Sequence, residues 1–132
     1  MKRYAVAAFG LAMLSVALVA QTPLVTGDHS SPLRPLTGEG NVGVSLAVLR
    51  EQPEVRALRV VVEPDGTRPI HSHGTVQFHL FIPISGPMQL NLEGAESVDV
   101  QPWHPYFLEG GTEHGFHNSG STAVEIMEIF VN

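Results

Sequence analysis

A chain of 132 residues allows one domain of ordinary size. Its 43% hydrophobic and 15% charged residues fit a packed core rather than a disordered chain, and a formal net charge of −6 argues against nucleic acid or an anionic membrane as a partner. With no cysteine, disulfides, thiolate nucleophiles and iron–sulfur clusters are excluded, and any metal site must use His, carboxylate, amide or water.

Met1-Lys2-Arg3 precedes an uncharged run from Tyr4 to Ala20 that is rich in Ala, Val and Leu. This order predicts a secretory signal peptide over 1–20, cleaved after Ala17 or Ala20. The protein is then periplasmic or secreted, with no stable membrane span after cleavage. A permanent anchor is the alternative, because the 17-residue run reaches the bottom of the spanning range of about 17–25. Small residues and the Gln21-Thr22-Pro23 break favour cleavage. Lys2-Arg3 is no twin-arginine pair, so export in the unfolded state is expected. Residues 21–40 carry Pro23, Gly27, Pro32, Pro35, Gly38 and Gly40 and read as an irregular arm. The compact domain spans 41–132.

Short alternating runs follow. Val44, Leu46 and Val48 form the first, and Leu58, Val60 and Val62 the second. Met88, Leu90 and Leu92 alternate with Gln89, Asn91 and Glu93, the pattern of a half-buried strand, and Val98 and Val100 continue it. The last run puts Val124, Ile126 and Phe130 on one face and Met127, Ile129 and Val131 on the other, which predicts a central strand. Pro64-Asp65-Gly66, Ser85-Gly86-Pro87, Glu93-Gly94-Ala95, Glu109-Gly110-Gly111 and Asn118-Ser119-Gly120 are turn signals. Many short strands without an amphipathic helix predict an all-β sandwich or barrel of two antiparallel sheets. Phe78, Phe81, Trp103, Phe107, Phe116 and Met127 are its expected core aromatics and methionine.

Five of the seven histidines fall in two windows, His71, His73 and His79 in one, His114 and His117 in the other. On a strand, positions 71 and 73 face the same side, where two imidazoles can chelate one ion. His117 would point away from His114. His29 lies in the arm, His104 in a loop, and Asn118 serves the next turn.

The two windows also carry a resemblance. Gly66-x4-His71-x-His73-x3-Gln77, with Gly86 beyond, and Gly111-x2-His114-x3-Asn118 resemble the two motifs of the cupin superfamily. The resemblance runs from about Val42 to Asn132. It implies a cupin-type jelly-roll β-barrel with one divalent transition metal (Zn, Cu, Fe, Mn or Ni) on His71, His73, His114 and a fourth ligand. The family's Glu is missing there. Spacing forward from His73 gives Gln77; counting back from Gly86 gives His79. Gln77 is preferred, since it needs no gap before the ligand. Either substitute leaves the site one negative charge short, which favours an anionic ligand.

The resemblance implies a small metalloenzyme of oxygenase, isomerase or lyase type, acting on a small molecule. The alternative is a non-enzymatic module that holds metal or a small ligand. No general acid or base stands out: Glu113 should face outward, and Glu125 and Glu128 are unsupported candidates. A homodimer is compatible with this class.

Overall fold

Residues 31–132 are described by a computed structural model; the expected signal peptide, its cleavage site and His29 lie outside the described residues. The described chain forms nine strands and no helix: β1 (Arg34–Pro35), β2 (Val42–Glu51), β3 (Val55–His71), β4 (Phe78–Pro83), β5 (Met88–Leu92), β6 (Val98–Val100), β7 (Tyr106–Glu109), β8 (His114–His117) and β9 (Val124–Val131). All pairings are antiparallel.

Side-chain alternation fixes which face turns inward. On β9, Val124, Ile126, Glu128 and Phe130 are buried, while the residues between them are half-buried. β9 lies between β3 and β4, the central place its two apolar faces predict. On β4 the inward residues are His79, Phe81 and Pro83.

The expected two sheets are one curled sheet, ordered β6-β5-β8-β3-β9-β4-β7, with β2 along β3. The cause is β3. Its first half, Val55 to Val62, pairs with β9, and its second half, Thr67 to His71, pairs with β8. One long strand therefore belongs to both walls and folds them onto each other. Phe81 of β4 and Phe116 of β8 meet across the interior with ring centroids 5.7 Å apart.

Pro64-Asp65-Gly66 is not a turn between strands, as the sequence suggested, but a bulged bend inside β3. Asp65 takes a φ of 61° there. A Cβ on Gly66 would lie 2.7 Å from Glu63 O, so the bend needs glycine. Asn118 holds it shut: buried completely, its Nδ2 donates to Val62 O, Glu63 O and Thr122 O at 3.0, 3.2 and 2.8 Å. The expected turn role is also present, since Gly120 N donates to Asn118 Oδ1.

The described part of the arm is docked. Arg34 and Pro35 pair with Leu46 and Ser45, and Leu36 packs against the core. Two expected core residues are on the surface instead: Trp103 is 73% exposed and Phe107 59%. Phe107 alternates outward on β7 and stacks on Phe78. Trp103 sits at a φ of 62° in the turn before β7.

Candidate metal centre

His71 closes β3 and pairs directly with His114, which opens β8. The approach depends on Gly115: a Cβ there would lie 2.6 Å from Arg68 O. His73 lies just beyond the strand end and turns back, its ring 4.9 Å from His71 and 5.4 Å from His114. One ligand nitrogen from each of the three lies within 4.8 Å of the others. Tetrahedral coordination at about 2.0–2.1 Å per nitrogen holds two such nitrogens about 3.4 Å apart, so the rings must draw together by about an ångström to close on an ion.

The structure does not bring Gln77 into this cluster. Its side chain is exposed, and its Nε2 donates to Asn132 O at 3.1 Å. Gln77 precedes β4 in a bend, where strand alternation does not yet direct the side chain. His79 is two residues later on the inward face, 1% exposed, with its ring 4.9 Å from His114 and 5.5 Å from His73. It also stacks on Phe130 at 4.5 Å. His79, the alternative in the sequence, lies beside His114 and His73.

Hydrogen bonds set the tautomers. His114 Nδ1 lies 2.8 Å from Thr112 O and His71 Nδ1 3.0 Å from Pro69 O. Carbonyls only accept, so both Nδ1 atoms donate and both Nε2 atoms keep a lone pair. Arg68 Nε donates to His71 Nε2 at 2.8 Å. The Nε2 atoms of His73 and His114, both ring nitrogens of His79 and Glu128 Oε1 are buried without a hydrogen-bond partner. Buried polar atoms are ordinarily satisfied. Several orphaned imidazole nitrogens facing one another have the donor chemistry of a transition-metal site.

Burial keeps these imidazoles neutral. It pushes His71 down to about 4 and His73 and His79 to about 3, and lowers His114, with the neighbouring rings or Arg68 adding repulsion. A metal ligand must be unprotonated, so the cluster is ready for an ion at neutral pH. Burial has the opposite effect on Glu128, raising it to about 7 against the pull of Arg68 and Arg56. Its Oε1 is 3.8 Å from His79 Nε2.

The other candidates stand apart. His117 Nδ1 bonds Thr67 Oγ1 at 2.9 Å. Glu125 pairs with Arg59 on the outer face. Glu113 and His104 are exposed. The sequence reading gave no support to Glu128 and passed over Arg56 and Arg68. Glu128 shares the parity of Val124, Ile126 and Phe130, and Arg56 that of Leu58, Val60 and Val62, which is the signal that finds both. Arg68, ten residues after Leu58, keeps that parity and lines the same cavity as Arg56 and Glu128.

No protein-family model matches the sequence, and no curated protein matches it. Solved structures do. The polyketide cyclase RemF from Streptomyces resistomycificus aligns over 76% of this chain and 72% of its own, at 20% identity and a TM-score of 0.67. KdgF from Halomonas sp. aligns over 76% and 87%, at 16% identity and a TM-score of 0.64. A cupin domain from Bordetella pertussis aligns over 72% and 99%, at 23% identity and a TM-score of 0.60. The shared feature is the fold, and this chain has the cupin fold.

Proposed function

We propose that this cupin-fold protein binds one divalent transition metal through His71, His73, His79 and His114 and acts on a small molecule as a metalloenzyme. The observation that carries the reading is the set of buried imidazole nitrogens on His73, His79 and His114 that have no hydrogen-bond partner, with His71 paired to His114 beside them. His79 replaces Gln77 as fourth ligand because it adjoins the cluster while the Gln77 amide is bonded to Asn132. Four neutral ligands leave a divalent ion with its full charge. If the uncharged Tyr4–Ala20 run exports the chain unfolded, metal is acquired outside the cytoplasm, where the affinity order favours copper and zinc.

Glu128 favours enzyme over passive binding. A carboxyl group raised to about 7 holds or releases a proton near neutral pH, as general acid–base catalysis requires. It lines the same cavity as His73. A bound ion would polarise an oxygen of the substrate; Glu128 would exchange a proton with it. Isomerase or lyase chemistry fits that division of labour better than storage. A homodimer is the assembly to test, with the exposed Phe107 beside Phe78 as its support.

Elemental analysis of the purified protein, followed by zinc and copper calorimetry, tests the metal reading. One equivalent per chain is expected. Absence of metal together with no measurable zinc or copper affinity would end it.

A further inference from the structure

The cavity that reaches the histidine cluster has about 220 Å³ of space. An engineered apolar cavity of about 150 Å³ admits benzene, and drug-sized sites begin near 300 Å³. The space therefore suits a ligand somewhat larger than a single ring. Of its twelve lining residues, eight carry hydrocarbon side chains only, among them Val44, Leu46 and Val48 of β2 and Leu58 and Val60 of β3. The polar ones are Arg56, Arg68, His73 and Glu128.

These walls select by chemistry. A sugar or sugar acid brings several hydroxyls, and aliphatic walls offer them no partner, so each would be buried unsatisfied. A hydrocarbon body meets no such penalty. Two guanidinium groups face one carboxyl group, and the imidazoles are neutral, so the polar part of the cavity is cationic even without an ion. Arg56 is fixed where it can serve: its Cζ lies over the Phe130 ring, 4.8 Å from the centroid, and that same ring contacts His73 and His79. Arg68 already donates to His71, which leaves Arg56 as the freer fork for a carboxylate.

We infer that the ligand is a small monocarboxylic acid with a hydrocarbon body, an arylalkanoate or a short alkanoate, its carboxylate held by Arg56 and its body against the β2–β3 wall. This rests on the cavity being the substrate face of the proposed metal centre, and it deepens that reading.

Calorimetry with 3-phenylpropanoate, hexanoate, 3-phenylpropanamide and galacturonate, on both zinc-loaded and metal-free protein, tests it. The two hydrocarbon acids should bind, the neutral amide should bind at least about tenfold more weakly, and galacturonate should not bind measurably. Arg56→Met should weaken 3-phenylpropanoate at least about tenfold and leave zinc affinity unchanged. Leu46→Phe fills the cavity and should abolish 3-phenylpropanoate binding with zinc affinity retained; Val48→Phe does the same from a neighbouring position should Leu46→Phe fail to fold. Galacturonate binding as tightly as 3-phenylpropanoate, no binding of either hydrocarbon acid, or unchanged affinity in the cavity-filling variants would overturn the inference. Failure of zinc to bind would sink the metal reading alone, and the metal-free titration then decides the ligand class.

Discussion

Arg68 Nε donates to His71 Nε2 at 2.8 Å, and so occupies the lone pair that a metal ion would take. The guanidinium cannot give up its charge, and burial makes that charge costly. Ion binding must break this bond and bring two cations close together. Arg68→Met should therefore tighten zinc binding by at least about tenfold, which corresponds to about 1.4 kcal/mol. A calorimetric titration of the variant measures it. Weaker binding would mean that Arg68 chiefly holds the His71 ring in place.

The ligand set predicts an order among alanine variants. His71→Ala, His73→Ala, His79→Ala and His114→Ala should each lose zinc affinity by more than the roughly 10–100-fold typical of outer-sphere changes. Gln77→Ala and His117→Ala should stay within a few-fold of wild type, because their side chains bond Asn132 O and Thr67 Oγ1 instead. Competition titration against a chromophoric chelator resolves the series. Equal losses in Gln77→Ala and His71→Ala would restore Gln77 as the fourth ligand.

The metal-free protein should lose stability on acidification. The imidazoles are lowered from 6.5 to about 4 at His71 and to about 3 at His73 and His79. From about pH 6.5 downward the unfolded chain binds protons that the native state refuses, so stability falls by up to about 1.4 kcal/mol per pH unit for each group. His71 and His73 are only half-buried, and solvent screening trims their share. Glu128, raised from 4.5 to about 7, acts with the opposite sign: its native proton stabilises at low pH and is lost as pH rises through that window. Several imidazoles outweigh one carboxyl group. Urea midpoints at pH 7, 6 and 5 should fall in that order, and His79→Phe should flatten the slope.

Asn118→Ala should unfold the bend without touching the site. The change strips partners from Val62 O, Glu63 O and Thr122 O and removes the acceptor for Gly120 N. A loss of about 2–3 kcal/mol is expected, and with it a fall in melting temperature on the order of 10 °C. Differential scanning calorimetry measures the fall, and zinc affinity at low temperature should stay within a few-fold. Unchanged melting would mean that the bulge holds itself.

We propose that the chain is exported, and protein so exported should begin at Leu18 or Gln21, following cleavage after Ala17 or Ala20. Intact-mass spectrometry of protein recovered from the periplasm or medium reads the N-terminus directly. A chain retaining Met1 in the membrane fraction would establish the anchor instead.

Sequence alone determined what depends on local spacing. Alternation is a property of consecutive residues, so the two faces of β9 and the half-buried β5 are legible from Val124-x-Ile126 and Met88-x-Leu90-x-Leu92. The same holds for His71, His73 and His114, whose spacing from Gly66 and Gly111 carries the motif resemblance. What sequence could not decide depends on contacts distant in the chain. Pro64-Asp65-Gly66 has the chemistry of a turn, yet Asn118 holds it as a bulge within β3. Gln77 and His79 share a parity and differ by two residues, and what separates them is what each meets. Pairing of β4 with β9 brings the end of the chain to Gln77, whose amide takes Asn132 O, and sets Phe130 under His79. The Gln77 amide has a backbone partner at the surface, while the His79 imidazole, packed on an aromatic ring, lies inside with its nitrogens unpaired. That burial, together with the cavity walls contributed by β2, β3, β8 and β9, is a property of the curled sheet, because only the folded sheet excludes the water that would otherwise solvate those groups.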